Sequence, residues 1–228
     1  MSSTTTRRKD TRARFLSAAE QEFLASGYEG ATIRRITARA GTSPATLHRL
    51  WGTKRELFME VFRKRIEPIE IPQLRLFAHL QAALDAGEAV SPRAVIRALM
   101  DPFFQLGRSA DPDARRGIQV FSRAVIEPAP EAQAIVLELI GPARTALYSL
   151  LQATIPGLRG EDFFLGLSCV FGCFLYPMGF GQRLAHDIDI DFDEIDWDRA
   201  ADRITEFLQS GLLTLCRDPA GPKGLAEG

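Results

Sequence analysis

Between Thr32 and Lys54 the chain carries residues suited to gripping the phosphates and base edges of a nucleic acid. Thr32 and Ser43 place hydroxyls where helices open, and the free N–H groups and dipole of a helix start favour anions. His48 lies on the same outward side and is assigned, with them, to phosphate. Ala45 and Thr46 come at the start of the second of these helices. They are short enough to meet thymine methyl groups and base edges in a major groove. This is binding chemistry and breaks no covalent bond.

The elements that must hold these residues are legible around them. Ile33, Ile36 and Ala40 recur at helical spacing and give one apolar face. Gly41 then supplies the residue that ends a helix at positive φ. Ser43 caps the next helix and Pro44 takes its first position, where no N–H is missed. Leu47, Leu50 and Trp51 anchor that helix inward. An earlier helix is expected over 10–26, with Phe15, Leu16, Ala19, Phe23 and Leu24 as its stripe and Gly27 as its end. Thr53 and Glu56 form a capping box that starts a fourth helix, whose face is Leu57, Phe58, Val61 and Phe62. Two short helices joined by a tight glycine turn make a helix-turn-helix, the arrangement that sets its second helix in the major groove.

The charge distribution agrees. Residues 1–65 hold 14 Lys and Arg against 6 Asp and Glu, a net of +8, whereas the remaining residues carry −9. A basic front on an acidic body concentrates positive field where phosphates would dock. Residues 1–9 are expected to form a flexible basic arm. The three cysteines, Cys169, Cys173 and Cys216, fit neither a disulfide framework nor a metal site. The start of the chain lacks the apolar stretch of a signal peptide, which places the expectation in the cytoplasm.

Further along, prolines and glycines punctuate helices and no β alternation is sustained. Helices are expected over 73–86, 92–108, 112–126, 130–154, 161–185 and 195–216. The Glu67, Pro68 and Pro72 region marks the expected boundary between a domain 1–66 and a domain 67–228. The uncharged run 163–182 is long enough for a bilayer, but Gly166, Gly172, Pro177, Gly179 and Gly181 interrupt it and no second span accompanies it. No membrane association is expected. Asp187, Asp189, Asp191 and Asp193 alternate as in a calcium loop, yet Phe192 replaces the needed glycine and Asp198 the closing glutamate. No metal or other cofactor is expected. No nucleophile elbow, Walker loop or zinc-protease motif is present, and the chain is not expected to be an enzyme.

Taken together, Phe23, Gly27-Tyr28, Thr32-Ile33-Arg34, Ile36-Thr37, Ala40-Gly41, Ser43-Pro44-Ala45-Thr46-Leu47 and Lys54-Arg55-Glu56-Leu57-Phe58 resemble the tetracycline-repressor (TetR) family of bacterial transcriptional regulators. His48 and Trp51 depart from the family's usual Tyr and its Phe or Tyr, and Leu50 from a frequent His or Tyr. The resemblance implies an all-α fold, with a three-helix DNA-binding domain followed by a larger helical ligand-binding and dimerisation domain. It also implies that Arg34 reaches a base edge, where arginine forks onto guanine, and that Lys54 holds a phosphate. More weakly, Arg123-Ala124-Val125-Ile126-Glu127-Pro128 is similar to a segment of one subgroup.

For the ligand pocket, composition alone points to Phe103, Phe104, Phe121, Phe174 and Met178, with Arg123 to orient a polar group. Taken singly, each of them is first expected to serve plain core packing. For the dimer interface, small residues four apart on the 161–185 helix, Ser168 with Gly172 and Cys169 with Cys173, would let helices approach closely. Phe171, Leu208 and Leu212 would add apolar contact. The resulting expectation is a homodimeric repressor on a palindromic operator, released by a largely apolar small molecule. The alternative is a structural or partner-binding DNA-associated protein without such a ligand.

Overall fold

Apolar residues at helical spacing and a cap at nearly every break leave this chain one kind of element to form. The structure, a computed structural model, describes residues 2–109 and 111–216, and the side chains of all these except 2–8 and 178–180. Its helices are α1 (Ser2–Gly30), α2 (Ile33–Arg39), α3 (Pro44–Trp51), α4 (Lys54–Asp85), α5 (Pro92–Gly107), α6 (Pro112–Val125), α7 (Pro130–Leu139), α8 (Gly141–Thr154), α9 (Gly160–Asp187) and α10 (Trp197–Leu215). A single 3₁₀ turn, Phe192–Glu194, precedes α10, and no strand occurs among the described residues. The fold is all-α, as expected. No single helix among these residues is long and apolar enough to cross a membrane.

The chain forms two compact units. Among the described residues, the first holds those up to Ile71 together with those of 106–142, and the second holds Pro72–Gln105 together with those of 143–216. The expected limit at 66/67 therefore falls inside α4, which runs through both Pro68 and Pro72. Residues 106–142, expected with the C-terminal domain, belong to the first unit instead. The reason is the inner face of α6, where Ile118, Val120, Phe121 and Ala124 are buried. Phe121 stacks on Phe62 of α4 with ring centroids 6.0 Å apart.

Polar contacts reinforce that packing. Arg65 of α4 donates to both carboxylate oxygens of Glu20 on α1, at 2.7 and 2.8 Å. It also donates to both of Asp113 near the start of α6, at 2.8 and 2.7 Å. The hydrogen bonds from Arg65 hold the Asp113 carboxyl below its ordinary value, and the same contact raises the guanidinium further. The N-terminal residues extend the first helix. The basic arm has a helical backbone from Ser2, and neither proline nor glycine interrupts the sequence before Gly27.

In the first unit Phe15, Ile36, Leu47, Leu57 and Phe62 are wholly buried. Burying a side chain of this size contributes about 1.5–3 kcal/mol each. In the second unit the core is built by Ile96 and Met100 of α5, Leu150 and Leu151 of α8, and Val170 and Phe174 of α9, all about fully buried. The acidic connector of 187–196 supplies caps. Asp191 accepts from the Asp193 N–H at 2.9 Å, and Asp196 from the N–H groups of Asp198 and Arg199 at 3.1 and 3.0 Å.

Candidate nucleic-acid interface

The helix-turn-helix forms as its caps dictate. Thr32 Oγ1 accepts the Arg35 N–H at 3.3 Å and Ser43 Oγ accepts the Thr46 N–H at 3.4 Å. Between them Gly41 takes φ 63°, and the Thr42 N–H returns to the Thr37 carbonyl at 3.0 Å, closing α2 tightly enough for α3 to begin two residues later. Thr53 and Glu56 complete their box, each backbone N–H bonded to the other's side chain at 3.1 Å.

Which arginines are free to meet DNA is decided by a buried carboxylate. Glu22 of α1, 2% exposed, takes Arg35 at 3.0 Å and Arg39 at 3.0 Å, and Gln21 takes Arg39 as well. Two of the three arginines of α2 are thereby spent on fixing α2 to α1. Arg34 is exposed, and its guanidinium has no intramolecular partner among the described residues. Ala45 is exposed and Thr46 partly so on α3. Arg49, on the same helix, is exposed and equally without a partner, a basic group for this surface that the sequence reasoning left unassigned.

The four residues expected on phosphate fare differently. Thr32 and Ser43 are exposed, though each hydroxyl already serves as a cap, and Ser43 Oγ lies 3.1 Å from Thr46 Oγ1. His48 is exposed and its Nδ1–H donates to the Gly52 carbonyl at 2.7 Å, which leaves Nε2 as the outward nitrogen. A neutral ring in that tautomer offers a lone pair there, so only the imidazolium can donate to a phosphate. Lys54 faces partly inward. Its ammonium donates inward to the carbonyls of Tyr28 at 2.9 Å and Ala31 at 3.3 Å, and stands 4.4 Å from the centre of the Tyr28 ring. It braces the entry to α2 from the start of α4.

A second brace was not legible in the sequence. Glu60 accepts from Arg12 and from the Trp51 indole N–H, while the Arg12 guanidinium lies 4.9 Å from the centre of the Trp51 ring. Trp51 itself meets Phe15 edge-on at 5.3 Å. The recognition helix is thus fixed at its C-terminal end to both α1 and α4.

The expected pocket residues do not form one group. Phe103, Phe104 and Phe174 are buried in the second unit, Phe103 with Phe174 at 4.9 Å and Phe104 with Trp197 at 6.1 Å. Phe121 and Arg123 belong to the first unit, where Phe121 packs on Phe62 and Arg123 pairs with Glu127 at 3.6 Å. Met178 lies outside the described side chains. Of the expected dimer residues, Ser168, Cys169 and Gly172 are exposed and Phe171 partly so. Leu208 and Leu212, each 2% exposed, are corrected to core positions. They fall with Ala201 and Thr205 on the inner face of α10, and Leu212 lies against Gly166 of α9. The outward face of α10 carries Phe207, Ser210, Gly211 and Thr214 instead.

A two-helix reading head with a protein-facing set of braces and an outward set of exposed arginines defines a helix-turn-helix DNA-binding protein. Comparison with known proteins gives the family. The model of bacterial regulatory proteins of the tetR family matches residues 15–61. That of the tetracyclin repressor-like C-terminal domain matches residues 97–211, half of the chain. The chain belongs to the TetR family of transcriptional regulators.

Solved structures agree in fold. A TetR-like transcriptional regulator from Rhodococcus sp. RHA1 is 25% identical over 89% of this chain and 95% of its own, with a TM-score of 0.53. A TetR family transcription regulator from Marinobacter aquaeolei VT8 is 19% identical, covers 91% and 97%, and superposes with a TM-score of 0.56. The fatty acid degradation regulator FadR from Bacillus halodurans is 18% identical over 87% and 98%, at a TM-score of 0.51. No curated protein matches in sequence.

Proposed function

We propose that this DNA-binding regulator is a homodimeric repressor that reads a palindromic operator in the cytoplasm and is released by a largely apolar small molecule. The observation that carries the DNA half of this reading is the division of arginines on α2 and α3. Arg35 and Arg39 pair with Glu22, whereas Arg34 and Arg49 are exposed and have no side-chain partner among the described residues. Arg34 and the short residues of α3 contact bases, and Thr32, Ser43 and His48 contact phosphates. The first 66 residues are the part that touches DNA, with the rest serving dimerisation and ligand binding.

The dimer is supported by an apolar strip left open on α9 and α10. Phe164 and Phe207 are 67% and 69% exposed, and Leu165, Ser168, Cys169, Gly172 and Tyr176 continue the same face of α9. Ser168 satisfies its hydroxyl on the Phe164 carbonyl at 2.9 Å, so it presents little unmet polarity there. For the effector, Phe103, Phe104 and Phe174 are the aromatic residues around which the second unit would admit an apolar molecule. Selection of duplexes from a random-sequence pool tests the proposal. An enriched inverted repeat bound by two chains is expected, and enrichment of an asymmetric site, or of none, would overturn it.

A further inference from the structure

The turn that leads from α1 into α2 is gripped by a carboxylate 99 residues away along the chain. Gly27 breaks the helical run with φ 69° and ψ −176°. The next residue, Tyr28, donates its backbone N–H to Glu127 Oε2 at 3.1 Å. Glu127 is only 5% exposed and sits in the connection after α6, where Pro128 prevents that helix from continuing. Arg123, one turn earlier, lies 3.6 Å from the same carboxylate.

The fit around Gly27 is close. A Cβ there would stand 2.8 and 3.3 Å from the two Glu127 oxygens and 2.9 Å from the Arg123 guanidinium. Glycine is therefore required twice, by its φ and by the approach of this pair. From the other side Lys54 holds the Tyr28 carbonyl. Both polar groups of one backbone residue are thus held by side chains, one from α4 and one from beyond α6. Four residues further on, Thr32 caps α2, so the heading of the chain at Tyr28 sets how α2 and α3 are presented.

We infer that Glu127 is a positioning residue for DNA recognition, acting through the Tyr28 N–H on the orientation of the helix-turn-helix. It touches no DNA. The inference rests on the DNA-reading role proposed above for α2 and α3. Its chemistry is that of a buried, charge-assisted hydrogen bond, which needs an oxygen at the length of a glutamate side chain.

The duplex selected by the wild-type protein from a random pool is the probe. Its affinity for Glu127→Ala, Glu127→Asp and Glu127→Gln is compared with that for an unrelated duplex of equal length, while amide exchange is followed at Tyr28. Alanine removes the acceptor and aspartate withdraws it by one methylene, so both should lose about tenfold on the selected duplex, the worth of one hydrogen bond to a charged group. Affinity for the unrelated duplex should hold within about twofold, since phosphate contacts alone supply it. Glutamine, which keeps an oxygen at the same reach, should recover most of the loss and slow the Tyr28 exchange that alanine accelerates. Should the alanine variant not fold, the aspartate and glutamine pair still decides the matter. Wild-type affinity in the aspartate variant, equal losses on both duplexes, or failure of glutamine to restore binding would each overturn the inference. A wild-type protein that selects no duplex fails the functional reading itself, and this inference with it.

Discussion

Arg34 and Lys54 carry similar charges a short distance apart in sequence, but their surroundings differ. Arg34 is exposed and without a partner among the described residues, so Arg34→Ala should cost about 1–3 kcal/mol on the preferred duplex and relax discrimination at one base pair. Affinities for duplexes singly substituted along the site would locate that pair; a uniform loss across all of them would make Arg34 a phosphate contact. Lys54 has two of its three N–H groups on the carbonyls of Tyr28 and Ala31. Lys54→Ala should therefore lower unfolding stability by about 1–3 kcal/mol, the cost of leaving part-buried acceptors unmet. The salt dependence of DNA binding should stay as in the wild type, because that slope counts phosphates contacted. A slope reduced by about one in the Lys54→Ala protein would return the residue to the phosphates.

At the scale of elements, α6 is the helix that most changes the expected picture, and its polar attachment can be tested by pH. Asp113 has its carboxyl lowered by hydrogen bonds from Arg65, so its stabilising effect is present above the ordinary value of 3.8 and fades as pH falls through the lower, folded-state value. Thermal unfolding of Asp113→Asn should lie below wild type at neutral pH, and the gap should close in acid below that window. A gap that persists there would assign the effect to packing. The short elements α2 and α3 were legible because each is specified locally: an alternating cap, a glycine, and three apolar residues within eight positions. The contacts between elements were not. Glu127 finds Tyr28 across 99 residues, Arg65 finds Asp113 across 48, and Arg12 finds Glu60 across 48. Long charged side chains on helix faces look solvated in sequence, and nothing in periodicity says which of them meet. Leu208 and Leu212 illustrate the same limit, since spacing placed them on one face of α10 without saying whether that face turned inward.

For the whole molecule, the open strip of α9 and α10 predicts how the assembly fails. A Cβ at Gly172 meets nothing within 4 Å, so Gly172→Arg should fold normally. In a symmetric interface the bulk enters twice, once from each chain. Sedimentation should show monomers with unchanged helical content and weakened binding to a two-half-site duplex; an intact dimer would place the interface elsewhere. Wild-type DNA binding should weaken steeply with salt, log affinity falling by about 0.9 per phosphate contact for each unit of log salt, because the basic residues of 1–65 carry it. A flat series would contradict that.

The two tryptophans of the chain divide between the units, Trp51 at the end of the recognition helix and Trp197 at the start of α10. Their surroundings differ in kind. The Trp51 indole is buried beside a guanidinium and bonded to a carboxylate, whereas Trp197 is partly exposed and packed against Phe104 and Phe192. The molecule thus carries one intrinsic fluorophore per unit, each in a distinct electrostatic setting. In Trp197→Phe the remaining emission reports on the DNA-reading end alone, and its difference from the native signal reports on α10. Denaturant titrations of the two proteins can then register whether the halves melt as one body or in succession, with no dye attached.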